Sequence, residues 1–269
     1  MRIGIVGAGN MGSALVRGLI GSGKSIPEMI SIFDLDPTKA LILQQEVKIR
    51  AVRDIRGTIE SDTEILVLAV KPQSVGDVID SIVHKIHDKL TIVSVAAGIS
   101  TDFILSCLNR PARVIRAMPN AAAMVGASAT ALCKAGIADD ADLRKALDIF
   151  SAIGLAVTVE ERMMNVVTAL SGSGPGYLFP IMEALTDGAV LMGLDRPTAR
   201  ALAVQTFKGA AIMALSENEP FSSLKDRITS SGGTTIAGLK VLEQSGLRGV
   251  LMDTIRAATL RAEELEGKK

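Results

Sequence analysis

The chain has 269 residues, with 29 basic and 29 acidic side chains that cancel to a formal net charge of zero. Because no basic run stands out, the sequence offers no surface for nucleic acid or an anionic membrane, and a compact small-molecule site fits better. Hydrophobic residues make up 48% of the chain but aromatic residues only 3%, a composition typical of helices and buried parallel strands. The length favours two domains.

The apolar stretches suit neither a membrane span nor a signal peptide. Ile3 to Gly9 is short and rich in glycine, and later stretches are interrupted by charges such as Glu183 and Lys208. We therefore expect a soluble, cytoplasmic protein. Cys107 and Cys133 form no CxxC pair, so neither a disulfide framework nor a metal site is indicated. The high apolar content also predicts that the chain buries part of its surface in a subunit interface, since monomers rarely expose large apolar patches.

Residues 1–160 alternate short β-branched runs with amphipathic stretches, which indicates repeated βαβ units and a mostly parallel sheet. The predicted strands are Arg2–Val6, Met29–Phe33, Ile65–Val70, Thr91–Val95, Arg113–Ala117 and Leu155–Val159, with Val47–Val52 as a weaker candidate and Ala127–Cys133 as an edge strand. Ser13–Ile20 predicts a helix with one apolar face, which should pack on the sheet after a right-handed crossover.

Residues 161–269 lack strand patterns and carry long helical stretches rich in Ala, Leu and Met. Pro175 and Pro197 suit first-turn positions of helices, and Asp195 is available as a cap. Ser230–Thr234 is too polar and too rich in glycine to be helical. The predicted fold class is therefore α/β, with a domain of alternating strands and helices at 1–160 followed by an all-helical domain at 161–269.

A glycine motif, Gly7-Ala8-Gly9-Asn10-Met11-Gly12, directly follows the first predicted strand and opens a helix. In a GxGxxG turn the first glycine permits the tight bend, the second lets the backbone approach a pyrophosphate, and the third permits close contact between helix and strand. The helix N-terminus then presents free N–H groups to the phosphates. The alternative is a tight turn without a ligand, but the βαβ context favours cofactor binding. Residues 1–160 are therefore predicted to form a Rossmann-type dinucleotide-binding domain.

An acidic residue about 20 positions beyond the last glycine is expected to bind the adenosine ribose hydroxyls. Asp34 has that position. The competing Asp36 precedes Pro37 and is better explained as a helix cap. A carboxylate at this place would repel a 2′-phosphate, which favours NADH over NADPH, although Arg53 or Arg56 could still accommodate the phosphate.

A general acid or base is hard to find. The two histidines, His84 and His87, lie in the expected crossover helix Asp77–Lys89 and are interpreted as solvated helix residues. Hydride addition to a protonated imine requires no base, so an imine reductase could work with hydroxyl groups. Lys71, at the carboxyl edge of a predicted strand, is either a catalytic acid or a contact to the cofactor.

The segment Ser230-Ser231-Gly232-Gly233-Thr234-Thr235 leads into an amphipathic helix, Ile236 to Gln244. Unpaired N–H groups and hydroxyl donors there would suit a substrate carboxylate. An ordinary start of a helix explains the stretch equally well. A second interruption of the helical pattern is Ser171-Gly172-Ser173-Gly174-Pro175. It is explained equally well as an anion site and as an ordinary start of a helix.

Taken together, these motifs resemble the pyrroline-5-carboxylate reductase family over essentially the whole chain. The most specific stretch runs from Leu224 to Leu239, with Leu242-Glu243 behind it. The supporting matches are Ala69-Val70-Lys71-Pro72-Gln73, Ala97-Gly98, Arg116-Ala117-Met118-Pro119-Asn120, and Ser171 to Pro175 followed by Tyr177.

The resemblance implies hydride transfer from NAD(P)H to 1-pyrroline-5-carboxylate, giving L-proline, by a homodimer that interlocks through its helical domains and is often assembled into a decamer. The cofactor contacts that the resemblance implies are Gly7, Ala8, Gly9, Asn10, Met11, Gly12, Ala69, Lys71 and Asn120. We add Asp34 from its spacing, and Val70, Pro72, Ala97, Gly98, Met118 and Pro119 from the matching stretches. The implied substrate contacts are Ser230, Ser231, Gly232, Gly233, Thr234 and Thr235, with Thr235 as the hydrogen-bonding residue at the imine nitrogen.

Two departures from the family pattern are present. Ser231 replaces a usual proline, and Asp34-Leu35-Asp36 stands where NADPH-preferring members have an Asn-Arg-Ser-like run. Two other functions stay open at this point. One is a different imine or β-hydroxyacid reductase that uses Lys71 as its acid, and the other is a non-enzymatic nucleotide sensor. Cyclic imines of five and six members both stay open as substrates.

Overall fold

The computed structural model describes residues 1–217 and 219–267. Its contacts group these residues into a first unit, 1–173 with 258–267, and a second unit, 174–257. The sequence places the domain boundary after residue 160, where the strands end. Residues just beyond it join the first unit because Met164 is buried against Ala131 and Cys133 of the sheet. The boundary between independently folding domains stays a prediction.

The first unit is built on one sheet of eight strands within the described residues. The strands are β1 Arg2–Val6, β2 Ile30–Phe33, β3 Arg50–Ala51, β4 Thr63–Leu68, β5 Thr91–Ser94, β6 Arg113–Met118, β7 Ser128–Gly136 and β8 Gly154–Thr158. Their order is β3-β2-β1-β4-β5-β6-β7-β8, and neighbours are parallel except β6 and β7. All eight predicted strands are present, and the predicted α/β fold class is confirmed. The prediction of an edge strand at Ala127–Cys133 is wrong in its position, because β7 pairs with both β6 and β8.

Several strand ends differ from the prediction. Met29 lies in the 3-10 turn Pro27–Met29, and β3 is shorter than predicted because Val47 closes a helix and Lys48 adopts a left-handed conformation. Ala69 and Val70 follow β4 instead of extending it. In each case the apolar run continues past the point where the backbone must turn toward the next element.

Helices cover both faces of the sheet. In the first unit they are α1 Asn10–Gly21, α2 Pro37–Val47, α3 Val75–Ile82, α4 Thr101–Leu108, α5 Asp140–Phe150 and the short α6 Met164–Val167. Alternate residues of a strand point to opposite faces, so Ile65 and Val67 of β4 pack with α1, α2 and α5, whereas Leu66 and Leu68 pack with α3 and α4. The core therefore has two apolar layers, one on each side of the sheet.

The predicted crossover helix Asp77–Lys89 is wrong in its extent. Helix α3 ends at Ile82 and is followed by the 3-10 turn Val83–Lys85. The chain leaves the helix because it must turn back to β5, and Ile86 there has extended backbone and is buried. His84 is exposed on the 3-10 turn, and His87 lies beyond it with Nε2 at 3.3 Å from the carbonyl oxygen of Glu60. Neither histidine is therefore part of the crossover helix α3.

The second unit is helical. Its helices are α7 Gly174–Leu191, α8 Arg196–Ser216, α9 Phe221–Arg227, α10 Thr234–Gln244 and the first part of α11 Leu247–Glu266. Pro175 and Pro197 lie in first turns as predicted, and Asp195 accepts a hydrogen bond from the Thr198 N–H at 3.0 Å. The predicted break holds as far as Gly233, whereas Thr234 is already helical. Among the described residues, no helix is both long and apolar enough to cross a bilayer.

The second unit has almost no interior of its own. Of its described residues only Thr186 and Ala199 are buried. Large apolar side chains that are more than three-fifths exposed include Phe179, Leu191, Met192, Leu215, Phe221 and Met252. An exposed apolar surface of this extent marks an interaction site.

We expect the chain to self-associate through the helices of residues 161–269. Phe179→Glu should weaken association at least about tenfold, the effect of removing one buried aromatic anchor. Ile42→Glu, a similar change on α2 of the first unit, should leave association unchanged. Sedimentation at micromolar concentration measures both, and a monomeric wild-type protein would contradict the expectation.

A buried ionic cluster attaches α5 to the sheet. Asp142, itself buried, accepts hydrogen bonds from Arg113 Nη1 at 2.5 Å and from Thr91 Oγ1 at 2.9 Å. It also accepts from the Asp139 N–H, and Asp139 in turn accepts from the N–H of Asp142, which forms a capping box at the start of α5. These two carboxylates raise the pKa of Arg113. The cluster thus joins β5, β6 and α5.

Asp142→Ala should destabilise the first unit by about 3 kcal/mol, because it removes the buried carboxylate that Arg113 and Thr91 bind and leaves Arg113 with only the exposed Asp139. For a unit of this size the expected fall in Tm is about 6–12 °C. Asp148→Ala is the matched control, since Asp148 lies on the same helix in an exposed pair with Lys24, and its Tm should change by less than about 2 °C. Equal shifts in Tm for the two variants would show that the buried cluster contributes no more to stability than an exposed ion pair does.

Candidate functional site

The glycine turn joins β1 to α1 at the carboxyl edge of the sheet. Gly7 has a φ of +106°, and a Cβ atom there would lie 2.3 Å from the carbonyl oxygen of Ala69. A Cβ atom on Gly12 would lie 1.9 Å from the carbonyl oxygen of Gly7, whereas a Cβ atom on Gly9 would meet no described atom within 4 Å. Gly7 and Gly12 are therefore required by packing, and Gly9 leaves open space in front of the turn.

The start of α1 is suited to an anion. Gly9 is the N-cap residue, and within the described chain no side chain caps this end and no acidic residue lies in the first turn. Ser13 Oγ donates to the carbonyl oxygen of Ala8 at 2.9 Å, and so does not occupy the N–H groups. Free N–H groups and the positive end of the helix dipole therefore face the space beside Gly9, as a pyrophosphate requires.

Asp34 follows β2 and is attached to this turn. Its Oδ2 accepts a hydrogen bond from the Ala8 N–H at 2.7 Å, and its Oδ1 accepts from the Asp36 N–H at 2.9 Å. A carboxylate has about four acceptor positions, so both oxygens keep capacity for ribose hydroxyls. Asp36 caps α2 by accepting from the Thr38 N–H at 3.1 Å, which confirms its predicted role as a cap.

A pocket of about 620 Å³ runs along the carboxyl ends of β1, β2 and β4, and we call it the β1–β4 pocket. It brings together the predicted residues Gly7, Gly9, Asp34, Ala69, Val70 and Lys71. Apolar side chains that include Phe33, Ile55 and Val78 line it further, together with Lys39. The pocket combines an anion-binding turn, a carboxylate and apolar walls, which is what a dinucleotide requires.

The two arginines considered for a 2′-phosphate lie outside this pocket. Arg56 forms a side-chain pair with Asp54, with Nε at 2.9 Å from Oδ1, and this contact lowers the pKa of Asp54 to about 2. Arg53 is exposed and does not line the pocket. The lysines in the wall are Lys39 and Lys71. Sequence reasoning missed Lys39, although its place in the first turn after the Asp36 cap was a usable signal.

A second pocket of about 380 Å³ lies at the end of β5, and we call it the β5 pocket. It contains the predicted residues Pro72, Ala97 and Gly98. The rest of its wall is Gln73, Thr168, Ser173 and four residues of α11, namely Ala258, Arg261, Ala262 and Leu265. The α11 residues carry no local motif, so only the folded chain reveals them.

Met118, Pro119 and Asn120 line neither pocket. Met118 ends β6 and packs near Met164, and Pro119 is buried. Asn120 accepts from the Ala122 N–H at 3.1 Å and donates through Nδ2 to the carbonyl oxygen of Ser171 at 3.0 Å. The predicted break at Ser171 is a π-helical turn, Thr168–Gly172, that ends before Ser173. Asn120 thus holds this turn, and its contact with a cofactor stays a prediction.

The Ser230–Thr235 segment belongs to the second unit and starts α10. Gly232 has a φ of +68°, and the Gly233 N–H donates to the carbonyl oxygen of Ser230 at 3.1 Å, which closes a tight turn. A Cβ atom on Gly233 would lie 2.3 Å from Ser230 Oγ. Gly233 is the N-cap residue, with no side-chain cap in the described chain, and Thr235 is half-buried in the first turn. The segment therefore presents free N–H groups beside hydroxyls.

Comparison with protein families matches two models. Residues 161–265 match the model described as pyrroline-5-carboxylate reductase dimerisation. Residues 2–98 match the model described as NADP oxidoreductase, coenzyme F420-dependent. The two matches fall on the helical part of the chain and on its glycine-turn part.

Full-length relatives agree with these models. A pyrroline-5-carboxylate reductase of Methanosarcina acetivorans is 43% identical over 268 residues, with 100% of this chain and 98% of the relative covered. The solved structure of the enzyme from Coxiella burnetii has a TM-score of 0.95 at 36% identity, covering 98% of both chains. The Plasmodium falciparum pyrroline carboxylate reductase, solved with NADP bound, has a TM-score of 0.85 at 27% identity, covering 99% of this chain and 98% of that one. The chain therefore belongs to the pyrroline-5-carboxylate reductase family.

Proposed function

We propose that the protein reduces 1-pyrroline-5-carboxylate to L-proline with NAD(P)H. The observation that carries this proposal is the 43% identity to a pyrroline-5-carboxylate reductase over the full chain. The open glycine turn and the unblocked N-terminus of α1 support a dinucleotide cofactor at the β1–β4 pocket. In the proposed assignment Gly7–Gly12 hold the pyrophosphate and Asp34 the adenosine ribose.

The cofactor supplies a hydride, which forms the new C–H bond at the imine carbon, while the C=N electron pair moves to the protonated nitrogen. In this proposal the free N–H groups at the start of α10, with Ser230 and Thr234, hold the substrate carboxylate. The Thr235 hydroxyl orients the ring nitrogen. The protein's contribution is then to bind and orient two partners, which removes much of the entropic part of the barrier.

Lys71 fits this proposal better as a cofactor contact than as an acid. It is exposed in the wall of the β1–β4 pocket, beside the glycine turn. A protonated imine needs no acid there, so the β-hydroxyacid reductase alternative, which relies on Lys71, has no separate observation in its favour. A nucleotide sensor would not require the tight turn that Gly232 and Gly233 form ahead of Thr235.

Oxidation of NADH and NADPH with pyrroline-5-carboxylate and with piperideine-6-carboxylate, side by side, tests the proposal and the ring-size preference. Imine-dependent oxidation supports it. A cofactor that binds but is not oxidised by any imine would favour the sensor. Reduction of NAD+ or NADP+ by β-hydroxyacids, with no imine-dependent oxidation of NADH or NADPH, would favour the other reductase.

The quaternary structure and location are also part of the proposal. A dimerisation family model covers residues 161–265, and the second unit exposes the apolar surface that a partner subunit would cover. We propose a homodimer through these helices, further assembled into a decamer, in the cytoplasm. The sedimentation experiment described above separates a dimer from a decamer by mass.

We expect kcat/KM for NADH to be at least equal to that for NADPH, because the Asp34 carboxylate repels a 2′-phosphate. Asp34→Asn keeps the side-chain shape and removes the charge. It should move the NADPH/NADH ratio of kcat/KM toward NADPH by about tenfold, roughly 1.4 kcal/mol of differential binding. Steady-state kinetics with both cofactors measures this ratio.

Lys39→Ala provides the complementary control. Lys39 lines the same pocket, so this change should weaken NADPH use and leave NADH use nearly unchanged, whereas Arg56→Ala, outside the pocket, should affect neither. A strong wild-type preference for NADPH would contradict the proposed role of Asp34 and make Lys39 the dominant selector.

Thr235→Val keeps the β-branched shape and removes only the hydroxyl. If that hydroxyl orients the imine nitrogen, kcat/KM should fall about 10- to 100-fold, the loss of one hydrogen bond to a charged group at about 1.5–3 kcal/mol. The dissociation constant for NADH should hardly change. Thr206→Val, the same change on the exposed surface of α8, should behave as wild type. Unchanged turnover in Thr235→Val would reduce Thr235 to a helix-starting residue.

A further inference from the structure

Arg116 is a buried cation of the first unit that the proposed chemistry does not use. It lies in β6, its side chain is only 4% exposed, and it belongs to the Arg116–Asn120 motif. Burial of an arginine is costly unless its charge is paired and hydrogen-bonded. The partners of Arg116 therefore indicate what it is for.

Arg116 is paired with two carboxylates that come from distant parts of the chain. Its Nη1 lies 2.6 Å from Glu266 Oε1 and 3.3 Å from Glu161 Oε1. Glu161 also accepts from the Thr101 N–H at 2.8 Å and from the Thr101 hydroxyl, so it is fixed to the start of α4. The second oxygen of Glu266 accepts from Asn165 Nδ2 at 2.7 Å. Both carboxylate oxygens of Glu266 are thus hydrogen-bonded, one to Arg116 of β6 and the other to Asn165 of α6.

Glu266 is the last residue of α11, and the turns just before it form a wall of the β5 pocket. Ala258, Ala262 and Leu265 line that pocket opposite Ala97 and Gly98. Ala262 is buried, whereas Leu265 is half exposed. Of these three apolar side chains only Ala262 is buried, so the ionic contact at Glu266 adds to what keeps these turns in place.

The β5 pocket continues the β1–β4 pocket along the sheet edge. Lys71 lines the first pocket, and its neighbour Pro72 lines the second. If Asp34 and the glycine turn take the adenosine ribose and the pyrophosphate, an extended dinucleotide must cross Lys71–Pro72 to reach Ala97 and Gly98. The β5 pocket is therefore the place for the nicotinamide end, since dinucleotides lie across the carboxyl ends of the strands.

We propose that Arg116 is a positioning residue that acts through Glu266, holding the end of α11 as a wall around the nicotinamide end of the cofactor. This inference rests on the proposed function only in taking NAD(P)H as the bound group. It assigns a task to a segment of α11 that carries no recognisable motif. Arg116 itself touches neither substrate nor cofactor in this scheme.

The test compares two ligands that share the adenosine, ribose and pyrophosphate parts. NADH carries the nicotinamide, and ADP-ribose lacks it. Glu266→Ala should raise the dissociation constant for NADH about tenfold, as expected when a positioned wall is released, and should leave that for ADP-ribose within about twofold. Glu266→Gln keeps an oxygen acceptor for Arg116 and should restore NADH binding to within about threefold of wild type.

Glu263→Ala is the matched control, because Glu263 lies one turn earlier on the exposed side of α11, and it should bind both ligands as wild type does. Equal weakening of NADH and ADP-ribose by Glu266→Ala would mean general damage to the unit and overturn the proposal. Unchanged binding of both would do the same. If Glu266→Ala does not fold, Glu266→Gln decides the comparison: a fall of about two- to threefold in NADH affinity with unchanged ADP-ribose affinity is expected, and unchanged binding of both ligands overturns the proposal. A wild-type protein that binds NADH but reduces no imine would overturn the proposed function and leave this inference standing.

Discussion

The close approach of Gly7 to Ala69 is the constraint on which the glycine turn and the β1–β4 pocket depend. β1 and β4 are neighbouring central strands, and the Ala69 N–H donates to the carbonyl oxygen of Val6 at 2.7 Å just before the chain turns. Any side chain on Gly7 would collide with the Ala69 carbonyl, and one on Gly12 would collide with Gly7. Only glycine at both positions lets α1 begin directly above the strands, with its N–H groups facing the open side of Gly9.

Asp34 depends on the same contact. Its carboxylate accepts from the Ala8 N–H inside the turn. The bend between β1 and α1 therefore sets the position of the Asp34 carboxylate, which follows the end of β2. The net charge of the chain is zero, yet this edge combines Asp34 with Lys39 and Lys71 in one pocket wall. In the proposed function, cofactor recognition therefore depends on the local placement of these charges rather than on a field produced by the whole protein.

Strand β6 places two further charged side chains, Arg113 and Arg116, in local ionic contacts within the first unit. Because side chains alternate along a strand, Arg113 and Arg116 point to opposite faces of the sheet. Arg113 binds Asp142 and attaches α5 on one side, and Arg116 binds Glu161 and Glu266 on the other. One strand thus anchors a helix of the core and the end of α11. The described residues of the second unit form no comparable interior, and its exposed apolar side chains add to the apolar composition that the core of the first unit already gives the chain.

Much of this was accessible from the sequence, since the relevant information is local. The period of two in the strands, the glycine turn, the Asp36 and Asp195 caps and the break before Thr234 each depend on a few adjacent residues whose backbone preferences decide the structure. Strand ends and the length of α3 were not accessible, because they depend on where the chain must turn back across the sheet.

The tertiary structure decided what depends on residues far apart in the chain. It placed Lys39 rather than Arg53 or Arg56 in the wall of the β1–β4 pocket, because Arg56 is paired with Asp54 and Arg53 lies outside the pocket. It also joined Arg116 to Glu266 across most of the chain and made α11 a wall of the β5 pocket. No periodicity or motif records such pairs, since charge pairing and burial are set by distances in space, whereas a sequence pattern reports only the preferences of neighbouring residues.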